Sequence, residues 1–186
     1  WFASCWDIES VDFMEDMNVP CYKIASASLT DKDLLNYTKN TNKPIILSTG
    51  MSTEDEIERA TRIIGEDKLI ILHCTSSYPC SIDELNLSYI HKLKEKYKCP
   101  IGYSGHEVGL STTLAAVAMG AKVVERHVTL DRSLWGSDQS ASIEPVGLNK
   151  LIRDIKAFEQ ALGNGKKIVY DTEKPILEKL RKINTI

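Results

Sequence analysis

No apolar run in this 186-residue chain approaches the length of a membrane span. Its opening residues lack the charged-then-apolar pattern of a secretory leader. Basic residues do not cluster: 23 Lys and Arg are interspersed with 26 Asp and Glu, for a formal net charge of -3. A nucleic-acid surface needs a basic patch or stripe, so that class is excluded. Cysteine is scarce and unpaired. Cys5, Cys21, Cys74, Cys80 and Cys99 are odd in number and follow neither a disulfide framework nor zinc-ligand spacing. They read as small buried hydrophobes in a protein of the reducing cytoplasm. Low-complexity segments are absent, and no glycine-rich phosphate fingerprint follows the first strand-like run, which weighs against a dinucleotide fold. What is present is an ordinary globular composition, 42% hydrophobic and 26% charged, long enough for one domain with its own core.

Short apolar runs alternate with amphipathic stretches. Residues 1–5, 22–25, 44–47, 69–74, 101–103 and 123–128 are rich in β-formers and bounded by turn residues, as buried parallel strands are. Helical patterns lie between them. Residues 31–37 follow Thr30 as a cap, and 54–64 follow Thr53, which has capping-box spacing to Glu56. Residues 87–97 place Leu87, Ile90, Leu93 and Tyr97 on one face. The stretch 111–119 is apolar nearly all round and should pack tightly, 148–162 closes at Gly163, and 10–17 is the weakest pattern. Repeated βα units predict a parallel sheet with right-handed crossovers, either an open sheet or a closed barrel. The strand spacing, roughly 20–30 residues, suits a barrel of about 250 residues. The fold class expected is therefore α/β, a partial (β/α)8 TIM barrel with about six of its eight units. Residues 1–165 are expected to form this partial catalytic barrel, and 166–186 read as a linker with a short helix leading to a further domain. The Trp1-Phe2 opening has mid-strand character, which predicts that the two other units lie upstream.

Polar groups recur where these strands end. In order they are Ser4 and Asp7; Lys23, Ser26 and Ser28; Ser48 and Thr49; Thr75, Ser76 and Tyr78; Ser104 and His106; and Glu125 and His127, with Asp138 in the loop that follows. In a parallel barrel the C-terminal strand ends build the active site. A lysine inside an apolar strand needs an anion, and hydroxyls on neighbouring strands supply donors for a phosphate. Any one of these hydroxyls could instead satisfy a turn backbone. His106 and His127 end adjacent strands, so two imidazoles could share a divalent ion. Either could equally be a hydrogen-bonded structural histidine. Glu125 lies two residues before His127 and so points to the same side; it could also pair with Lys23 or Arg126. His73 reads as a satisfied core histidine and His91 as a surface residue.

Several segments resemble the sialic acid synthases and their relatives. They are Tyr22-Lys23-Ile24-Ala25-Ser26, Ile46-Leu47-Ser48-Thr49-Gly50-Met51-Ser52 and Leu72-His73-Cys74-Thr75-Ser76-Ser77-Tyr78-Pro79. They continue with Ile101-Gly102-Tyr103-Ser104-Gly105-His106, Val124-Glu125-Arg126-His127-Val128-Thr129 and the loop Trp135-Gly136-Ser137-Asp138-Gln139-Ser140-Ala141-Ser142. The resemblance implies a (β/α)8 barrel that condenses phosphoenolpyruvate with an N-acetylated amino-sugar aldehyde such as N-acetylmannosamine. It implies that Ser4, Lys23, Ser26, Ser48, Ser76 and Ser104 hold phosphoenolpyruvate. It places a divalent metal, manganese or magnesium, on His106 and His127, and turns Tyr78, Glu125 and Asp138 toward the sugar. His106, His127 and Glu125 are the expected catalytic residues, and the full-length protein is expected to be a homodimer. Against that family the chain lacks the first two βα units and the C-terminal antifreeze-like domain. Ser28 and Ser76 stand where many members carry Glu and Asn. Legionaminic, pseudaminic or spore-coat polysaccharide synthases of the same family are alternatives, as is a non-catalytic barrel that binds a sugar or phosphate.

Overall fold

The structure, a computed structural model, describes residues 1–182. Its centre is a five-stranded, wholly parallel sheet of β1 (Tyr22–Ile24), β2 (Ile45–Ser48), β3 (Leu69–Cys74), β4 (Ile101–Gly105) and β5 (Val124–Arg126), ordered as in the chain. Parallel neighbours need long crossovers, and helices supply them: α2 (Lys32–Asn40), α3 (Glu54–Ile64), α4 (Tyr89–Lys96) and α5 (Ser111–Ala118). Helix α1 (Ile8–Asp16) precedes β1, while α6 (Pro145–Leu162) and α7 (Lys174–Leu180) follow the sheet. This is an incomplete (β/α)8-type barrel, as expected.

The first expected strand, 1–5, is a correction. It makes one bridge, Ser4 to Lys23, with the Lys23 amide donating to the Ala3 carbonyl at 3.3 Å. Trp1 and Phe2 stay exposed, so burial does not hold the segment against β1 and the ladder stops at that bridge. A strand-like contact unread in the sequence lies beyond β5: the Ile143 amide donates to the His127 carbonyl at 2.8 Å, and the Thr129 amide to the Ile143 carbonyl at 3.0 Å. Helix α2 is capped by Asp31, whose carboxylate accepts from the Leu34 amide, and not by Thr30. The weakest pattern is a full helix, α1, because Asp7 caps it by accepting from the Ser10 amide at 2.7 Å. Helix α5 fully buries only Thr113 and Ala116, so the tight packing expected on all sides occurs on one. The capping box at α3 is as read: Thr53 and Glu56 bond reciprocally. Thr53→Ala should lower stability by about 1 kcal/mol, measured by urea denaturation. Of the expected linker, 166–186, the last four residues lie outside the described residues.

Strand alternation decides what faces what. Tyr22, Ile24, Ile45, Leu47, Leu69, Ile71, Ile101 and Tyr103 share one face and form the core with Val11, Leu34, Leu35, Ile57, Ile90 and Leu93 of the helices. The alternate positions therefore face the barrel interior: Lys23, Ser48, Cys74, Ser104 and Glu125. Register brings them together, since Cys74 pairs with Ser104, and Ser104 with Glu125. At Gly102 an added Cβ would sit 2.4 Å from the Val123 carbonyl oxygen and 2.5 Å from Leu72, so β4 lies against its neighbours only because that position is glycine.

Candidate active site

A cavity of about 480 Å³ opens at the C-terminal ends of the strands. Every expected site residue lines it: Ser4, Lys23, Ser26, Ser48, Ser76, Tyr78, Ser104, His106, Glu125, His127 and Asp138. Lys23 is buried on the interior face. Its ammonium donates to its neighbour's carbonyl, that of Ile24, at 3.0 Å and lies 3.7 Å from Glu125 Oε1. Burial pulls its pKa below the ordinary lysine value, and Glu125 and Cys74 oppose the shift. The ion pair weighed for Glu125 is thus present, but long. Glu125 Oε1 also accepts from Ser104 Oγ at 2.8 Å. Ser4 Oγ and Ser48 Oγ are buried without a hydrogen-bond partner, which leaves two donors free beside the lysine. Ser26 Oγ accepts from the Gly50 amide at 2.9 Å. A Cβ at Gly50 would fall 2.0 Å from Ser76 Oγ and 2.8 Å from Ser26 Oγ, so glycine makes the room these hydroxyls occupy.

On the far side the two imidazoles face each other, ring centroids 5.1 Å apart, with the Tyr78 ring 4.2 Å from His106 and 5.6 Å from His127. His106 Nδ1–H donates to the Thr75 carbonyl at 2.8 Å, which leaves Nε2 as the acceptor nitrogen. Burial opposes protonation of His106, but the Cys74 sulfur, 3.8 Å away, and the Thr75 carbonyl lift its pKa above the ordinary histidine value. Burial and the neighbouring His106 depress His127, whose Nδ1 lies 3.7 Å from Asp138 Oδ2.

Other strand-end groups serve the backbone. Asp7 caps α1, Thr49 Oγ1 donates to the Leu72 carbonyl, and Thr75 Oγ1 donates to the Glu84 carbonyl. Ser28 is buried in a short 3-10 turn and does not line the cavity, where its neighbour Ala27 does. His73 is a core residue, its Nε2–H donating to the Leu85 carbonyl at 2.7 Å, and His91 is exposed. Two features escaped the sequence reading. Cys74 lines the cavity; its interior parity, two residues after Leu72, was the available signal. Burial would raise its thiol, but His106 and the hydroxyls of Ser76 and Ser26 bring it below the ordinary value. The second is a buried ion pair between Glu107 and Arg126, N–O 3.2 Å. Nothing local announces it, because its members lie 19 residues apart.

The NeuB family model matches residues 1–167. The chain belongs to the NeuB family. Human N-acetylneuraminate-9-phosphate synthase is 39% identical over 183 residues, which cover 97% of this chain and 51% of that protein. The N,N'-diacetyllegionaminic acid synthase of Campylobacter jejuni is 38% identical, over 98% of this chain and 56% of the relative. The crystal structure of an N-acetylneuraminic acid synthetase from Leptospira borgpetersenii, in complex with citrate, superposes with a TM-score of 0.86 at 38% identity, over 96% of this chain and 63% of the other. The chain thus spans about half the length of the curated NeuB relatives it matches. Among the described residues no helix is long and apolar enough to cross a membrane.

Proposed function

We propose that this chain forms the substrate-binding part of an enzyme that condenses phosphoenolpyruvate with an N-acetylated amino-sugar aldehyde. The products are a sialic-acid-type keto-sugar acid and phosphate. The observation that carries the reading is the composition of one cavity: a buried lysine and unpartnered hydroxyls on one side, a pair of imidazoles on the other. Relatives named as synthases of different sugar acids support the sugar-acid synthase class.

In this reading Lys23 neutralises the phosphate, Ser4 and Ser48 donate their unpartnered hydroxyls to its oxygens, and Ser26, Ser76 and Ser104 join them, Ser104 by turning its hydroxyl from Glu125. Tyr78, Glu125 and Asp138 meet the sugar. The enol carbon of phosphoenolpyruvate attacks the aldehyde carbon, water adds at the resulting oxocarbenium carbon, and phosphate leaves by C–O cleavage. The histidines fit a divalent ion, manganese or magnesium. His106 has Nδ1 committed to Thr75 and Nε2 free; His127 is biased toward the neutral form that ligates, whereas the raised pKa of His106 means the ion must compete with a proton there. Among the described residues no group of three or more His, Cys, Asp and Glu is arranged for a metal, so water or substrate oxygens would complete the shell. When bound, the ion supplies Lewis-acid polarisation of the aldehyde.

The test is phosphate release from phosphoenolpyruvate by the intact protein over a panel of amino-sugar aldehydes, with and without chelator. Release should need both an aldehyde and the metal; none with any aldehyde would sink the reading. Lys23→Met should raise the KM for phosphoenolpyruvate about 10- to 100-fold, the worth of one charge-assisted hydrogen-bonding group. An unchanged KM in steady-state kinetics would leave Lys23 only its pairing with Glu125.

A further inference from the structure

Glu107 follows His106, and Arg126 precedes His127. Each member of the buried ion pair is therefore the chain neighbour of one histidine. Along extended backbone neighbours point to opposite sides. The imidazoles enter the cavity, and Glu107 turns toward the start of α5. Arg126 meets it there: Nη1 donates to Glu107 Oε1 at 3.2 Å, to the Gly109 carbonyl at 3.0 Å and to Thr113 Oγ1 at 2.6 Å, while Nη2 donates to the Glu107 carbonyl at 2.6 Å. Glu107 also accepts from the hydroxyls of Tyr103, Thr112 and Thr113 at 2.8–2.9 Å. A Cβ at Gly105 would fall 2.6 Å from Glu107 Oε2 and 3.1 Å from Arg126 Cδ, so the strand end is cleared for this pair. The His106 carbonyl is held from the other side by the Cys80 amide at 3.0 Å.

We propose that the Glu107–Arg126 pair is a positioning brace: it locks the ends of β4 and β5 together so that His106 and His127 keep facing each other across the cavity. An apolar pair of similar volume would serve the fold as well, since buried ion pairs seldom add net stability over hydrophobic replacements. What a forked guanidinium adds is fixed register, because it ties one strand end to the side chain and the backbone of the other at once. The consequence for cation binding rests on the function proposed above; the consequence for ring geometry does not.

The experiment uses the double variant Glu107→Gln with Arg126→Met, which removes both charges and keeps an amide oxygen for the three hydroxyls. Arg126→Lys, which keeps the charge and loses the fork, is the second variant should the first not fold. In the folded variant, NMR should show weakened or lost ring-to-ring contacts between His106 and His127, which the native chain retains. Manganese titration of the intact protein should show affinity reduced about 10- to 100-fold, the usual effect of losing a group that orients a metal ligand. A folded variant with native ring contacts and native manganese affinity would overturn the brace. Loss of ring contacts in the variant, with no manganese bound even by the native protein, would uphold the brace and sink the metal reading instead.

Discussion

Arg126→Met alone should destabilise the fold by about 3–5 kcal/mol, because it strands the Glu107 carboxylate in a site with no solvent access. Folding has already removed both groups from water, and among the described residues the guanidinium is the cation paired with the acid. The pH dependence should change as well. In the native chain burial pushes the Glu107 pKa up, but Arg126 and the surrounding hydroxyls hold it below the ordinary carboxylate value. A depressed pKa contributes stability that is complete above the unfolded value, about 4.3, and is lost as pH falls through the folded one. Without Arg126, burial dominates and the folded pKa lies above the unfolded value. The penalty is then largest at neutral pH and relieved as the acid protonates. Urea melts of both proteins at pH 7.5 and pH 4.5 should show the gap narrowing at the lower pH. A gap under about 1 kcal/mol at neutral pH would mean that Glu107 is not charged in the folded chain.

The second large effect is expected on turnover. On the function proposed above, His106→Ala and His127→Ala should each lower kcat of the intact protein about 100- to 1,000-fold with manganese present, as loss of several kcal/mol of transition-state stabilisation requires. Each variant should stay folded: the His127 side chain is one-third exposed, and the ring bond His106 loses is to the carbonyl of a loop residue, Thr75. Near-normal turnover in either variant, or full activity of the chelated native enzyme, would refute the two-histidine site.

Much of this was legible from residue order alone. Alternating apolar runs and amphipathic stretches specify a parallel βα protein, because the periods of 2 and 3.6 are local properties of strands and helices. The Thr53–Glu56 box was legible for the same reason: its partners lie three residues apart. Lys23, Ser48, Ser104 and Glu125 could be assigned to one interior face by parity, once the strands were placed. Local pattern does not say which neighbours a segment acquires. Residues 1–5 have strand composition yet pair through a single bridge, and Ser142-Ile143, with little strand character, reaches the other margin of the sheet. Nor does it separate hydroxyls left free in a cavity from those that satisfy backbone: Ser4 and Ser48 line the site without a partner, while Thr49 and Thr75 donate to carbonyls. The Glu107–Arg126 pair was the least visible of all. Ordinary surface residues have the same letters, and only the register of β4 against β5, with α5 closing over both, removes water and forces the two charges to meet. Sequence by itself determined the elements and the chemistry available at their ends; tertiary structure decided which of those groups meet, because burial and register are properties of segments brought together from far apart in the chain.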